Sequence, residues 1–425
     1  MTSRELAINI LYKIENAESY SNIEIDKEFT KTDMDPLDKA LASELVYGVI
    51  TWKITLDAII KRYSSIKINK ISDWILNILR IGIYQIVFLD KIPVSAAVNE
   101  SVKLAKRYGH EASNRFTNAI LRKIEKNELD KLLDYLSTQP ILEDELISII
   151  TSHPLWLVDK LLTEHDKKFV TLLLNANNVK PCITLRANTL KTTRDELLKL
   201  LQLKGFECEK GKLPDSIYIK KINDFSDKFY TVQDEAAQLA ALKLNPKSGE
   251  KVLDACSAPG GKTTYLAELM KNIGKIDAWD IHEHRVKLVK DLANKLDISI
   301  INATQKDASE YSPAFEKYYD KILLDVPCTG IGVIRKKPDI KWTRNPEDIL
   351  TLVEVQEKIL ETCSKYLRNG GQIVYSTCTV FEEENHLQIE KFLSKHEDFK
   401  LIEEVKLYPH IDNTDGFYIA LLERT

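Results

Sequence analysis

The chain has 425 residues, too many for one ordinary hydrophobic core, so two or three domains are expected. Hydrophobic residues make up 44% and charged residues 29%, the balance of a globular chain rather than a disordered one. A formal charge of -4 excludes a chain that is basic throughout but leaves room for a local basic face.

The six cysteines are too sparse for a disulfide framework, and no two form a C-x-x-C pair. Free thiols in a reducing cytoplasm are expected, with no metal site. The opening "MTSRELAINILYKIE" reads as a helix rather than a signal peptide, and no apolar run is long enough to span a bilayer. Leu6, Ile10 and Ile14 share one helix face behind Ser3, a candidate N-cap. Leu41, Leu45 and Val49 repeat the pattern, and "PVSAAVNESVKLAKRYG" opens at Pro93 and closes at Gly109. "NRFTNAILRKIEK" is a further helix. Residues 1–130 are therefore expected to form an all-α domain, and residues 131–164 a helical, acidic bridge. Over residues 165–232, the strands "PCITLRANTLK" and "SIYIKK" flank the amphipathic helix "TTRDELLKLLQLKG", which predicts a small α+β domain. From residue 233 to 425 the rhythm is strand, loop, helix. "KVLDAC", "KIDAWD", "ISIINA", "KILLDVP" and "GQIVYST" are the strands. This predicts an α/β domain with a parallel sheet, whose ligands bind at the carboxyl ends of the strands.

The stretch "DACSAPGGKTT", Asp254 to Thr264, admits two readings. Gly261-Lys262-Thr263 matches the second half of a phosphate-binding P-loop, but Cys256 stands where the first glycine belongs, and Pro259 lacks an N–H. The other reading is a loop for a nucleoside without phosphates. Asp254, Asp280, Asp307 and Asp325 stand at four successive strand ends. Such a set repels polyphosphate and suits S-adenosylmethionine, with its sulfonium and ammonium. Asp280 could take the ribose hydroxyls and Asp307 an adenine amino group. Taken singly, each is an ordinary surface or capping residue.

Cys328 follows the fourth strand and Cys378 the fifth. Singly, each reads as a small core residue. Together, beside Asp325, they suit methylation at C5 of a pyrimidine. A thiolate adds to C6, C5 becomes nucleophilic, and an acid near N3 neutralises the ring. A base must then remove the C5 proton. Lys262 is a candidate for lowering a thiol pKa.

"DACSAPGGKTT", "LLDVPCTGIGVIRKKPDIKW" and "YSTCT" followed by "EEEN" resemble the NOL/NOP/Sun RNA cytosine-5 methyltransferases, as do "TLRANTLK", "TVQDEAAQLAA" and "DGFYIALL". "ELVYGVI", "PVSAAVNESVKLAKRYG" and "FTNAILRKI" resemble the NusB-like RNA-binding fold. The pair is similar to the bacterial Sun/RsmB-type enzymes, which methylate a cytosine of small-subunit (16S) ribosomal RNA. The resemblance implies a multidomain chain: a NusB-like all-α domain, an RRM-like α+β domain and a Rossmann-like class I methyltransferase domain. It implies a cofactor loop of Cys256, Ser257, Ala258, Pro259, Gly260, Gly261 and Lys262. It also implies ribose binding by Asp280, further contacts to S-adenosyl-L-methionine by Asp307 and Asp325, and Asp325 near N3. Cys378 matches the attacking cysteine, and Cys328 the one that helps release product. "DGFYIA" and Val326 depart from the usual pattern, conservatively. The partner implied is small-subunit ribosomal RNA, free or in an assembly intermediate, met by a cytoplasmic monomer away from membranes.

"RKKPDIKWTR" offers Arg335, Lys336, Lys337, Lys341 and Arg344 for phosphates, with Trp342 to stack on a base. The alternative there is a solvated basic loop. Lys103, Lys106 and Arg107 suggest a second contact. Removing residues 1 to about 130 is expected to weaken RNA binding and spare cofactor binding. Two other classes stay open: an RNA-binding assembly factor with an inactive methyltransferase fold, and a P-loop hydrolase.

Overall fold

The structure, a computed structural model, describes residues 1–17, 21–222 and 228–425; the other residues fall within the predicted helical and small α+β domains. It divides into two units: Met1–Asn178 with Lys337–Arg344, and Val179–Lys336 with Asn345–Thr425.

In the first unit every regular element is helical, from Ser3–Ala17 to Lys167–Asn177. Residues 131–164, expected as a bridge, pack into it: Leu132 and Leu136 share one apolar core with Leu6 and Ile10. The centre is the helix Asp73–Phe88, apolar on nearly every face, with Ile75, Ile78, Leu79, Ile81, Ile83 and Ile86 all buried. A helix of that composition belongs inside. Its buried cation Arg80 donates to both oxygens of Asp57, at 2.7 and 2.8 Å, and to Glu15 at 2.8 Å. Gly48 allows close approach here, since a Cβ would fall 2.0 Å from the Tyr84 ring.

Lys337–Arg344 completes this unit from far downstream in the chain. Asp339 accepts from the Ser21 hydroxyl. Lys341 is buried, and its Nζ donates to the Thr51 and Ser152 carbonyls, both at 3.0 Å, and to Asn178 Oδ1 at 2.6 Å. Trp342 Nε1 donates to the Ile50 carbonyl at 2.9 Å. Removing the residues before about 130 would take the Thr51 carbonyl from Lys341 and the Ile50 carbonyl from Trp342, while Ser152 and Asn178 would remain.

The second unit carries two sheets. The small one contains β1 (Ile183–Ala187), β2 (Cys208–Lys210), β3 (Ser216–Ile219) and β4 (Tyr230–Val232), in the order β2-β3-β1-β4 and antiparallel throughout. This is the spatial order of a ferredoxin-like unit. The strands β2 and β4 are too short to show a period in sequence. The helix Arg194–Leu203 starts from a capping box between Thr193 and Glu196.

The large sheet contains β5 (Lys251–Asp254), β6 (Lys275–Asp280), β7 (Ile301–Gln305), β8 (Tyr319–Asp325), β9 (Leu367–Thr377), β10 (Phe399–Leu407) and β11 (Phe417–Arg424). Its order is β10-β11-β9-β8-β5-β6-β7. Strands β5 to β9 pair in parallel, and β11 is antiparallel to both its neighbours. Helices cover both faces. Tyr265 and Leu266 pack with Val252, Leu323 and Val374, while Ile359 and Leu360 pack with Ile322, Leu324 and Tyr375. The chain runs outward from β5 through β7, then restarts at β8 on the other side of β5. The crevice between β5 and β8 is thus the topological switch point where such sheets bind ligands.

His153, in the first unit, is wholly buried. Its Nδ1 lies 2.8 Å from the Thr151 carbonyl, and Nε2 has no partner. Burial, and after it the Lys341 charge, holds its pKa well below the usual histidine value. An unfolded histidine binds a proton near ~6.5, and the folded ring does not. Below that pH the unfolded chain therefore holds more protons, and stability falls by up to ~1.4 kcal/mol per pH unit. Between about pH 7 and 5, wild type should lose more stability in urea unfolding than His153→Gln. Equal losses would rule the account out.

Candidate active site

Each residue of the crevice is placed by a strand end. Asp254 ends β5 and is buried, with Oδ2 accepting from Thr263 Oγ1 at 2.6 Å. Its Oδ1 is buried without a partner. Burial pushes this carboxyl up to about 7. The loop beyond it is pinned to β6: the Ser257 N–H and hydroxyl both donate to the Trp279 carbonyl, at 2.8 and 2.9 Å. Gly260 has φ +104° and no room for a side chain, since a Cβ would lie 3.1 Å from Val289 Cα. The helix Gly261–Leu269 starts there. The Cys256 thiol in this loop is pushed well above its usual range by burial.

Asp280 ends β6; it accepts from the His282 N–H at 3.0 Å and pairs with Arg285 at 3.5 Å. Asp307, two residues past β7, accepts from the Ser309 N–H and hydroxyl at 2.8 and 2.7 Å. Asp325 ends β8 and is held from two sides, by Lys262 Nζ at 2.7 Å and Ser376 Oγ at 3.0 Å. Burial pulls the Lys262 ammonium down, but Asp325 outweighs it and the net shift is upward, so Lys262 carries its charge.

The pairing of β8 with β9 brings the two cysteines together. Cys328 Sγ and Cys378 Sγ are 3.3 Å apart. The hydrogen bond to Cys378, and then burial, push the Cys328 thiol well above the usual range. Either sulfur can be the donor in this contact.

The expected RNA face is corrected at Lys341. Lys341 and Trp342 are spent on backbone carbonyls of the helical unit, and Lys341 is only 1% exposed. A buried ammonium must satisfy its donors locally, and this one does. Lys336 is paired with Asp234 and Asp415, and Arg335 donates to the Thr414 carbonyl at 3.0 Å. Lys337 is exposed and Arg344 half-buried. In the helical unit Lys103 pairs with Glu100 and Arg107 with Glu5, both at 2.6 Å, while Lys106 is exposed.

Sequence reasoning missed Arg186, on β1. It is fully buried and reaches the helix after the glycine loop, donating to the Gly261 carbonyl at 2.6 Å, Thr264 Oγ1 at 3.0 Å and Glu268 at 2.7 Å. Its guanidinium lies 4.6 Å from the Tyr265 ring centre. Alternation gives no sign of it, since Leu185 and Ala187 face the small-sheet core and Arg186 points to the opposite face.

A parallel sheet reversing at β5, closed by an antiparallel pair and carrying a glycine loop after its first strand, is the Rossmann-like fold of class I methyltransferases. The comparisons agree. The family described as 16S rRNA methyltransferase RsmB/F matches residues 241–423. The NusB family matches residues 1–126, and a ferredoxin-like domain of RsmF/B-like methyltransferases matches residues 153–226. A probable ribosomal RNA small subunit methyltransferase B of Bacillus subtilis (strain 168) is 36% identical over 99% of this chain and 98% of its own. The ribosomal RNA small subunit methyltransferase B of Photorhabdus laumondii is 36% identical over 91% of each. The crystal structure of PH0851 covers 100% of this chain and 99% of its own, with a TM-score of 0.80 and 28% identity. A methyltransferase homolog from Pyrococcus horikoshii covers 66% of this chain and 98% of its own, with a TM-score of 0.59 and 26% identity. The chain belongs to the RsmB/F family of ribosomal RNA small subunit methyltransferases.

S-adenosyl-L-methionine is the methyl donor of this class, and the crevice fits it. The unpartnered Asp254 oxygen and the neighbouring carboxylates favour a cationic nucleoside and oppose a triphosphate. Among the described residues no cluster suits a metal, and no helix is long and apolar enough to cross a membrane.

Arg186→Met should destabilise the second unit by about 3–5 kcal/mol, because it leaves Glu268 buried without its cation. It should also weaken S-adenosylmethionine binding through the freed Gly261 carbonyl. Adding Glu268→Met should restore most of the stability but not the cofactor affinity. Denaturation and a cofactor titration check both; full recovery of affinity in the double variant would remove Arg186 from the site.

Proposed function

We propose that this methyltransferase places a methyl group on C5 of a cytosine in small-subunit (16S) ribosomal RNA, through a covalent bond from Cys378 to C6. The observation that carries the reading is the 3.3 Å separation of the two thiols beside the Asp325–Lys262 pair.

S-adenosylmethionine, when bound, supplies an electrophilic methyl carbon. The loop from Cys256 to Lys262 would hold it, with Asp280 at the ribose, Asp307 at the adenine and Asp325 nearby. The chain's own residues prepare the base. Cys378 adds to C6 as thiolate, its charge eased by the Cys328 S–H and by Lys262. Negative charge spreads to N3, where Asp325 and the ammonium it holds can neutralise it. C5 is then nucleophilic and accepts the methyl. A base then takes the C5 proton, the C5–C6 double bond re-forms and Cys378 leaves as thiolate; the adjacent Cys328 can pass its S–H proton to that sulfur and, as the thiolate so formed, take the C5 proton. The RNA partner is small-subunit ribosomal RNA, met as a monomer in the cytoplasm, with Lys103, Lys106 and Arg107 contributing contacts from the helical unit.

Cys378→Ala should neither methylate nor form an adduct. Cys328→Ala should transfer the methyl yet fail to release, accumulating a protein–RNA adduct that survives denaturing electrophoresis and requires S-adenosylmethionine. An adduct in Cys378→Ala instead would reverse the roles, and wild-type rates in both would end the covalent reading. Mapping 5-methylcytosine in 16S ribosomal RNA with and without the gene identifies the target.

A further inference from the structure

Two adjacent side chains, Glu384 and Asn385, lie under the thiols and have no role in the chemistry above. Both are buried. Glu384 accepts the Thr329 N–H at 2.9 Å and the Thr329 hydroxyl. It also accepts Gln356 Nε2 at 2.9 Å, and that same nitrogen donates to the Pro327 carbonyl at 2.9 Å. Pro327 and Thr329 are the two neighbours of Cys328. Asn385 treats the other cysteine alike. Its Oδ1 accepts the Thr377 hydroxyl, and its Nδ2 donates to the Thr379 carbonyl at 3.1 Å. Thr377 and Thr379 are the two neighbours of Cys378. The two loops are joined again between Thr329 Oγ1 and Thr379 Oγ1, 2.8 Å apart.

We infer that Glu384 and Asn385 are positioning residues that set the distance between the two thiols, Glu384 through the Cys328 loop and Asn385 through the Cys378 loop. This rests on the roles proposed above for the cysteines. No cation among the described residues pairs with Glu384; its acceptor sites are filled by neutral donors, and burial raises its pKa. Such a group holds its place only while every donor stays aimed at it. The residues on both sides of each cysteine are tethered, so the backbone that carries either thiol is held through one of these two residues. A reacting group displaced by about 1 Å can lose on the order of 100-fold in rate.

The two positions predict different failures. Glu384→Gln offers only one acceptor oxygen to the Thr329 loop and should displace Cys328. It should lower kcat by about 100-fold at most, leave KM for RNA and cofactor affinity near wild type, and accumulate the methylation-dependent adduct. Asn385→Ala should slow adduct formation in single turnover without accumulating it. Thr329→Val should behave as Glu384→Gln does, and Thr329→Ser should restore the rate that Thr329→Val loses. Melting curves report folding, and if Glu384→Gln does not fold, the Thr329 pair decides. If Cys328→Ala itself gives no adduct, the reading of Cys328 fails. If Cys328→Ala gives the adduct while the Glu384 and Thr329 variants turn over at the wild-type rate, the positioning role alone is overturned.

Discussion

The parallel pairing of β8 with β9 is the constraint on which the chemistry of this chain depends. In its register Asp325 stands opposite Ser376, and the two hydrogen-bond. Each strand then runs two or three residues further to a cysteine, and the sulfurs meet. A slip of one residue would turn Ser376 to the other face and part the thiols. The same pairing sets Asp325 against Lys262, which arrives from the glycine loop after β5. One register thus joins the two thiols and the Asp325–Lys262 pair.

Around this pairing the second unit buries several polar groups at a cost in desolvation. Arg186 with Glu268 and Glu384 with Thr329 and Gln356 are inaccessible to water. Apolar residues of similar volume could fill such places with little loss of stability. What polar groups add is direction. Arg186 orients the first turn of the helix after the glycine loop, and Glu384 orients the turn after Cys328. The small sheet therefore takes part in building the crevice through β1.

The strand-end acids and the two cysteines were legible because a parallel sheet puts function at one edge, and strand ends can be counted along a chain. The order that makes β8 and β9 neighbours is seen only in the structure. The basic stretch after Cys328 misled at Lys341 because a lysine uses the same letter whether it faces RNA or caps buried carbonyls. Only the three acceptors around Lys341 Nζ decide, and they come from residues 51, 152 and 178. Arg186 escaped for a related reason, and Glu384 and Asn385, though they close the quoted "EEEN", carried no sign of what they hold. Their partners lie far away in sequence or across a loop, where no periodicity operates. The strands β2 and β4 are too short to carry a pattern at all.

The helical unit has one more property, which concerns the order of synthesis. A ribosome makes residues 1–178 first, yet the unit is finished only by Lys337–Arg344. Until those residues emerge, the Thr51 and Ser152 carbonyls lack their lysine donor and Ile50 lacks its indole. By then β5 through β8 have been made. The first domain out of the ribosome is therefore completed only after most of its sheet-bearing neighbour has been synthesised. A gene fragment ending at the helical segment encodes an unfinished object, and grafting it onto another enzyme would require carrying those eight residues along.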